Sequence, residues 1–479
     1  MLEMKKNFIG GEWLESDHAI DNINPSDTSD LIGTYALASI AQTQQAIDAA
    51  HTAFPSWSRS PIQQRSEMLD NIGNEILARK QQLGELLSRE EGKTLPEGIG
   101  EATRAAHIFK FFGAQVLRQK GDFFDSVRPG IDVTVTRTGV GVAGLILPWN
   151  FPIAIPAWKI APALAYGNCV VFKPSELVPA TAHAMAEIIV NAGIPAGVFN
   201  LVMGHGESVG ATIVNSPKVQ AVSFTGSIKT GRSVAASAVA RMAKIQLEMG
   251  GKNPLVVLDD ADLPTAVDCA VQGAFFSTGQ RCTASSRLIV TDGIHDRFVK
   301  AMVERMSSLV TDHALKAGTD IGPVIDQRQL DQDLKYLQVG LGEGANLAYG
   351  GEQVARDAPG FYLTPALFTE TDNTMRINQE EIFGPIASVI RVKDYDEALA
   401  TANDTEFGLS SGVVTTSLKY ASDFKRNIQA GISFVNLPTS GVDYHVPFGG
   451  TKSSSYGARE QGQYAEEFYT TVKTDYTRA

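Results

Sequence analysis

The sequence predicts an α/β protein built on a doubly wound, largely parallel sheet, with a second α/β unit following it. Two patterns carry that prediction. Between about residues 140 and 260, short runs that are apolar on both faces alternate with amphipathic segments, as parallel strands covered by helices on both sides require. The stretch from Ala261 to Ile382 repeats the same mixture. Length agrees: 479 residues exceed what one hydrophobic core organises, and a prior of about 150 residues per unit suggests roughly three units.

Taken in order, Ile9-Gly10-Gly11-Glu12-Trp13 has hairpin chemistry, with small turn residues between apolar ones. The N-terminal part is then expected to be helical. Ser39 to Phe54 and Pro61 to Lys80 carry apolar residues at helical spacing, and Leu83, Leu86 and Leu87 continue the pattern up to Gly92. Val140–Leu147, Val170–Lys173, Phe199–Met203, Ala221–Thr225 and Leu255–Leu258 read as buried strands, separated by amphipathic segments such as Pro179–Ala192 and Thr230–Met242. Two segments rich in Thr and Val at period two stand apart, Ile131–Arg137 and Thr470–Tyr476. They are either solvent-facing edge strands or strands that pair across subunits.

Composition excludes several classes. Apolar residues make up 43% and charged residues 20% of the chain, which is ordinary for a globular protein and rules out disorder. The formal charge of -12 repels polyanions, and no basic strip offsets it, so nucleic acid is not expected as a partner. Three cysteines without C-x-x-C spacing do not make a disulfide framework, and no cluster of Cys and His suggests a metal. The start, from Met1 to Phe8, lacks a signal-peptide core. The apolar run from Thr138 to Phe172 is broken by Pro148, Pro152, Pro156 and Pro162, which suits a buried strand and helix better than a membrane span. A cytoplasmic protein away from membranes is the expectation.

Three glycine or charged turns follow successive strands. Gly226-Ser227-Ile228-Lys229-Thr230-Gly231 leads into a helix whose free N–H groups would favour a phosphate; Met203-Gly204-His205-Gly206 is a second such turn. Val171-Phe172-Lys173-Pro174-Ser175-Glu176 places a cation and a carboxylate at a third. Each alone is an ordinary turn; together they suggest a nucleotide crevice. Cys282, in Ser277-Thr278-Gly279-Gln280-Arg281-Cys282-Thr283, is a candidate nucleophile beside a cation, or a structural thiol. Cys169 and Cys269 look like inert core thiols. Glu248, in Leu247-Glu248-Met249-Gly250-Gly251-Lys252, is either a desolvated general base or a salt-bridge partner of Lys252. Asn150, in Pro148-Trp149-Asn150-Phe151-Pro152, either donates to an oxyanion or stabilises a turn.

Over essentially its whole length the chain resembles the NAD(P)-dependent aldehyde dehydrogenase superfamily. The matching segments, in family order, are Pro148-Trp149-Asn150-Phe151-Pro152, Lys173-Pro174-Ser175-Glu176, Phe224-Thr225-Gly226-Ser227 and Leu247-Glu248-Met249-Gly250-Gly251-Lys252. Gly279-Gln280-x-Cys282, Glu380-Glu381-Ile382-Phe383-Gly384-Pro385 and Pro447-Phe448-Gly449-Gly450 complete the set. The resemblance implies a Rossmann-type dinucleotide-binding domain (residues 1–119 and 140–250) and a second α/β catalytic domain (251–445). It also implies a small β oligomerisation arm with a C-terminal segment (120–139 and 446–479), and a homodimer or homotetramer.

It further implies that Cys282 attacks an aldehyde while the Asn150 amide and the Cys282 backbone N–H hold the oxyanion. Glu248 would activate water on the thioester, and Lys159 would sit near the site and relay protons. NAD or NADP would lie along Leu147, Trp149, Lys173, Ser175, Glu176, Gly206, Phe224, Gly226 and Ser227, with Glu381 and Phe383 at the nicotinamide ribose. Glu176 favours NAD, whereas Lys173 and Ser175 admit a 2′-phosphate. Ser277 departs from a frequent Asn, and Met249 from a frequent Leu.

The runs Gly273–Arg287 and Gly441–Phe448 look most like α-ketoglutarate semialdehyde (2,5-dioxopentanoate) dehydrogenases. On that resemblance Arg281 is the candidate partner for a substrate carboxylate, with Tyr444 and His445 lining the substrate tunnel; Arg281 otherwise belongs to a structural salt bridge. The alternatives are a succinate semialdehyde, betaine aldehyde or other small-aldehyde enzyme, and a non-catalytic relative of the fold.

Overall fold

Two parallel-rich sheets carry the chain, and each is assembled from the apolar runs noted above. The computed structural model describes residues 3–478, so Met1, Leu2 and Ala479 lie outside the account. The first sheet has eight strands in the order Ser455–Tyr456, Lys244–Met249, Ala221–Gly226, Val142–Ile146, Cys169–Lys173, Phe199–Leu201, Asn7–Ile9 and Glu12–Leu14. Its five central strands are parallel, and the edges are antiparallel additions. Val142–Ile146 comes first of the five in sequence yet lies between Cys169–Lys173 and Ala221–Gly226. The winding therefore reverses beside it, and a crevice opens at the carboxyl ends of these strands. Its five residues, like those of Cys169–Lys173, are all buried, because helices pack on both faces.

The second sheet has seven strands, in the order Asn346–Tyr349, Ala366–Thr371, Ile386–Val392, Ser285–Thr291, Asn253–Val257, Ser410–Val414 and Ile432–Val435. All neighbours are parallel except the first pair. The strand read at Leu255–Leu258 thus belongs here, not with the strands that precede it. Its apolar neighbours Val256 and Val257 are fully buried, which left no local sign of the sheet it would join.

The N-terminal reading needs one correction. Between the Asn7–Leu14 hairpin and the first helix lies a second hairpin, His18–Asn24 with Asp27–Leu37. Register shifts at Asn22, Ile23 and Asn24 break the period-two alternation that would have revealed it. The helices then follow: Ile40–Trp57, started by a capping box between Ser39 and Gln42; Ile62–Ala78; and Lys80–Glu91, ended by Gly92 at φ 92°. Leu95–Gln115 comes next, with a capping box between Thr94 and Glu97 and Pro96 in its first turn.

The two Thr/Val-rich segments pair with each other inside the chain, from Thr470 opposite Gly139 to Arg478 opposite Ile131. With Asp122–Asp125 they form a separate three-stranded sheet. No helix among the described residues is long and apolar enough to cross a membrane.

Candidate functional site

The crevice at the winding reversal is a groove of about 400 Å³, lined among others by Trp149, Asn150, Gly226, Ser227, Glu381 and Phe383. Gly226 and Ser227 leave the strand Ala221–Gly226 and enter the helix Ile228–Ala240, where the Ser227 hydroxyl caps the Thr230 N–H at 3.3 Å. Phe224 lies beneath this turn: a Cβ on Gly226 would come within 2.6 Å of its ring, so only glycine lets both backbone and ligand approach. Thr225 also lines the groove, and its Oγ1 is buried without a hydrogen-bond partner.

At the far end the Glu381 carboxylate accepts the Gly251 N–H at 2.9 Å, and a Cβ on Gly250 would fall 2.0 Å from its other oxygen. Trp149 meets Phe383 edge to face at 5.4 Å. These residues fit a dinucleotide: a glycine-led helix N-terminus for phosphate, an orphaned hydroxyl, and a carboxylate for ribose hydroxyls.

The remaining cofactor candidates sit around the neighbouring strand ends. The Lys173 ammonium donates to the Pro174 carbonyl at 2.8 Å and reaches Glu176 at 3.5 Å. Glu176 is half exposed and also faces His205 at 3.9 Å. Ser175 Oγ is directed to its own turn, accepting the Leu177 N–H at 3.3 Å. Leu147 is buried and donates its N–H to the Lys173 carbonyl. Gly206 opens the turn before the helix Ala211–Asn215.

Cys282 lines this groove and also a second cavity of about 350 Å³. The loop that presents it is wound left-handed over three residues, Ser277, Thr278 and Gly279, at φ 51°, 57° and 66°. Strain in the two non-glycine residues is held by the helix Leu95–Gln115. Glu97 accepts both the backbone N–H and the hydroxyl of Ser277, at 2.7 and 2.9 Å. The same helix fixes the other half of the site. Glu101 accepts the N–H groups of Ile153 and Ala154, and Lys93, paired with Glu101 at 2.5 Å, donates to the Asn150 carbonyl at 2.9 Å. Buried Asn150 then donates its side-chain amide to the Gln280 carbonyl at 3.1 Å, which ties it to the Cys282 loop. An amide nitrogen has two hydrogens, so one remains for an oxygen on the substrate.

Burial pushes the Cys282 thiol up to about 12, reinforced by the carboxylates of Glu381 and Glu248. Cys169 and Cys269 are raised as well, chiefly by burial, and neither lines the two cavities. Glu248 is 2% exposed. One of its oxygens accepts the Ser455 hydroxyl at 2.6 Å, and the other has no partner. Burial first, and the charge of Glu460 second, hold its carboxyl well above the usual range. Lys252 makes no bridge to it; the Lys252 ammonium is buried without a partner.

Lys159 is fully buried, donates to Ser223 Oγ at 2.6 Å and pairs with Glu460. Burial of Glu381 raises its carboxyl to about 7. Glu460, Ser455, Glu97, Glu101 and Lys93 were not found by sequence reasoning. Only the Thr94-x-x-Glu97 capping box gave a signal, and it marks a helix start, not a site.

Arg281 borders the substrate-side cavity and donates to Ser440 Oγ at 3.1 Å and to the Gln272 carbonyl. Among the described residues it forms no salt bridge within 4 Å. Tyr444 and His445 fall outside that lining. Tyr444 packs against His107 and Phe111, at ring separations of 5.4 and 6.4 Å, His445 is exposed, and their loop reaches the cavity through Ser440, Gly441 and Val442 instead.

A dinucleotide groove and a small-molecule cavity that share one thiol define an oxidoreductase of the cysteine-dependent, nicotinamide-using kind. The chain belongs to the aldehyde dehydrogenase family, whose model matches residues 13–474. It is 40% identical to the α-ketoglutaric semialdehyde dehydrogenase of Bacillus subtilis over 476 residues, 98% of each chain. It is also 40% identical to the α-ketoglutarate semialdehyde dehydrogenase of Haloferax volcanii over 485 residues, 99% of each. Among solved structures, the betaine aldehyde dehydrogenase of Staphylococcus aureus in complex with NAD+ superposes with a TM-score of 0.96 at 34% identity, covering 99% of this chain and 95% of that one.

Two predictions follow from this geometry. Replacing Glu460 by Gln removes a negative charge that holds Glu248 protonated and releases Lys159 to favour its ionised form. The acid limb of the kcat–pH profile, which rises as Glu248 ionises, should therefore move to lower pH; an unmoved or alkaline-shifted limb would count against the coupling. Replacing Glu97 by Ala frees Ser277, and misplacement of the thiol should lower kcat by about 10- to 100-fold, with cofactor affinity measured by fluorescence titration changed less than kcat.

Proposed function

We propose that this enzyme oxidises α-ketoglutarate semialdehyde (2,5-dioxopentanoate), a short aldehyde with a remote carboxylate, to 2-oxoglutarate. The observation that carries the reading is Cys282 at the meeting of the two cavities, supported by full-length similarity to two enzymes named for this semialdehyde. NAD or NADP is the cofactor; Gly226, Ser227 and Glu381 would hold it, and when bound it would supply the acceptor for a hydride. Glu176 beside the groove favours a ribose diol over a 2′-phosphate, and hence NAD.

The chain's own residues do the rest. The Cys282 sulfur adds to the aldehyde carbon, giving a thiohemiacetal whose oxygen receives the remaining Asn150 amide hydrogen and the Cys282 backbone N–H. After oxidation to the thioester, the unpaired Glu248 oxygen takes a proton from water as that water attacks the acyl carbon. The acid leaves, the thiol is restored, and the proton on Glu248 passes toward Lys159 and Glu460. Presence of Glu248 favours release of the free acid over transfer to coenzyme A.

Arg281, without an acidic partner in the cavity wall, attracts the substrate carboxylate by a charge-assisted hydrogen bond. Succinate semialdehyde shares that carboxylate and is the second substrate to test. The exposed Phe123, Phe124 and Val472 of the three-stranded sheet favour a homodimer or homotetramer, and three free cysteines favour the cytoplasm.

The test is reduced-nicotinamide absorbance on mixing the protein with NAD or NADP and a panel of 2,5-dioxopentanoate, succinate semialdehyde, betaine aldehyde and propanal, without coenzyme A. The highest kcat/KM is expected for 2,5-dioxopentanoate, and Cys282→Ala should lose at least about 10⁴-fold. Turnover by that variant at the native rate would remove the thiol from the mechanism. Arg281→Ala should raise KM for the acidic aldehydes by about 10- to 100-fold, far more than for propanal; equal changes would remove Arg281 from substrate binding.

A further inference from the structure

The substrate-side cavity holds a second guanidinium that the sequence did not point to. Arg104, on the helix Leu95–Gln115, borders the same space as Arg281. It donates to the Val442 carbonyl and to Gln461 Oε1, the latter at 3.0 Å, and its charge lies 5.9 Å from the Trp158 ring. Burial holds its proton affinity below the ordinary arginine value, as it does for Arg281. Neither guanidinium is in a salt bridge with a described residue, and Nε of each is buried without a partner.

Two carboxylates also border the cavity, but their oxygens are taken. Glu97 binds Thr94 and Ser277, and Glu101 binds Lys93, Ile153 and Ala154. The rest of the wall is largely apolar, with Phe151, Ile155, Trp158 and Phe448. Two guanidiniums without a salt-bridge partner border one small, mostly apolar space, offset only by the charges of Glu97, Glu101 and Asp443 beyond contact distance, and an anion in the cavity would complete the arrangement.

We propose that Arg104 is a specificity-determining residue that binds the 2-oxo acid end of the substrate together with Arg281. The inference rests on the reading of a carboxylate-bearing aldehyde above. One fork suffices for a simple carboxylate. A 2-oxo acid offers a third acceptor, the ketone oxygen, and two forks bordering the same cavity can satisfy all three. The pair therefore selects 2,5-dioxopentanoate over 5-oxopentanoate, which lacks only the ketone, and both over pentanal. Arg104 enters from the helix that holds Asn150 and the Cys282 loop, so the acid end is read from the same element that places the reacting atoms.

The experiment compares kcat/KM for 2,5-dioxopentanoate, 5-oxopentanoate and pentanal in the wild type, Arg104→Met and Arg104→Lys. In the wild type the three should rank in that order. In Arg104→Met the ratio of the first to pentanal should fall about 10- to 100-fold, through KM, and the preference for the 2-oxo group should disappear. Arg104→Lys should recover part of the carboxylate preference but not the preference for the ketone, since a point charge replaces a fork. Competitive inhibition by 2-oxoglutarate should weaken in parallel.

A wild type that does not prefer the acids to pentanal overturns the substrate reading itself. A wild type that does prefer them, with ratios unchanged in Arg104→Met or with all three substrates falling together through kcat, overturns the role of Arg104 and leaves that reading standing. If Arg104→Met does not fold, Arg104→Lys with unaltered discrimination between the two acids overturns it equally.

Discussion

The site depends on a charged cluster at the start of one helix, with Lys93 and Glu101 buried and Glu97 partly so. Lys93 lies just before Leu95–Gln115 and Glu97 and Glu101 lie in its first turns, and each helps to fix a loop from another part of the fold. Lys93 and Glu101 hold the segment bearing Asn150, which follows a strand of the first sheet. Glu97 holds Ser277 in the loop bearing Cys282, which precedes a strand of the second. A carboxylate that accepts two N–H bonds is worth keeping buried only while those bonds persist, so the cluster and the two loops are mutually dependent. Loss of one partner leaves an uncompensated charge as well as a free loop. That is why the geometry between amide and thiol, built on two sheets, can be held as closely as catalysis demands.

Electrostatics in the site follow from the same burial. Desolvation raises the proton affinity of Glu248, Glu381 and Cys282, and the two carboxylates raise that of the Cys282 thiol further. Desolvation is the largest cause for all three, so a ligand that changes hydration there changes all of them together. Protonation of either carboxylate removes one of the charges that oppose a thiolate, and only the burial penalty then remains. The Lys159–Glu460 pair stands behind Glu248 and acts in both directions: its carboxylate holds a proton on Glu248, and its ammonium favours the ionised base. A base surrounded this way titrates as part of a group, and its working pKa belongs to the cluster.

Much of the fold was legible because strands buried on both faces are apolar throughout, and because caps such as Ser39 with Gln42 and stops such as Gly92 are local chemistry. The hairpin His18–Leu37 was not, since bulges remove the alternation that marks a strand. Lys244–Met249 alternates polar and apolar residues, but Gln246 and Glu248 are buried along with Leu247 and Met249, so hydrophobicity alone does not reveal it as a buried strand. The candidate catalytic residues Cys282, Asn150 and Glu248 were reached through a series of short segments in family order, and spacing alone left each open. The residues that position them were missed for a common reason. Glu97, Glu101 and Glu460 look like solvated helix or loop carboxylates until tertiary structure supplies their partners. Tyr444 and His445 lie in a loop that reaches the cavity through Ser440, Gly441 and Val442, while Tyr444 packs on His107 and Phe111 and His445 is exposed, placements that sequence alone does not specify.

Charge on the whole molecule and charge in the cavity point in opposite directions. With a formal charge of -12, the protein repels an acidic aldehyde at long range, but at physiological ionic strength that field decays over about 8 Å. Inside the cavity the relevant charges are a few ångströms away, the walls are mostly aromatic and aliphatic, and screening is weak. A negative chain can therefore favour an anionic substrate only through cations fixed inside the site, and only if those cations lack carboxylate partners in the wall. Arg281 and Arg104 meet both conditions, since the two nearby glutamates are committed to holding loops. The groups that position the thiol thus also keep the guanidiniums available: if Glu97 or Glu101 turned toward an arginine, the cavity would lose its anion preference and the catalytic loops their anchors in one movement.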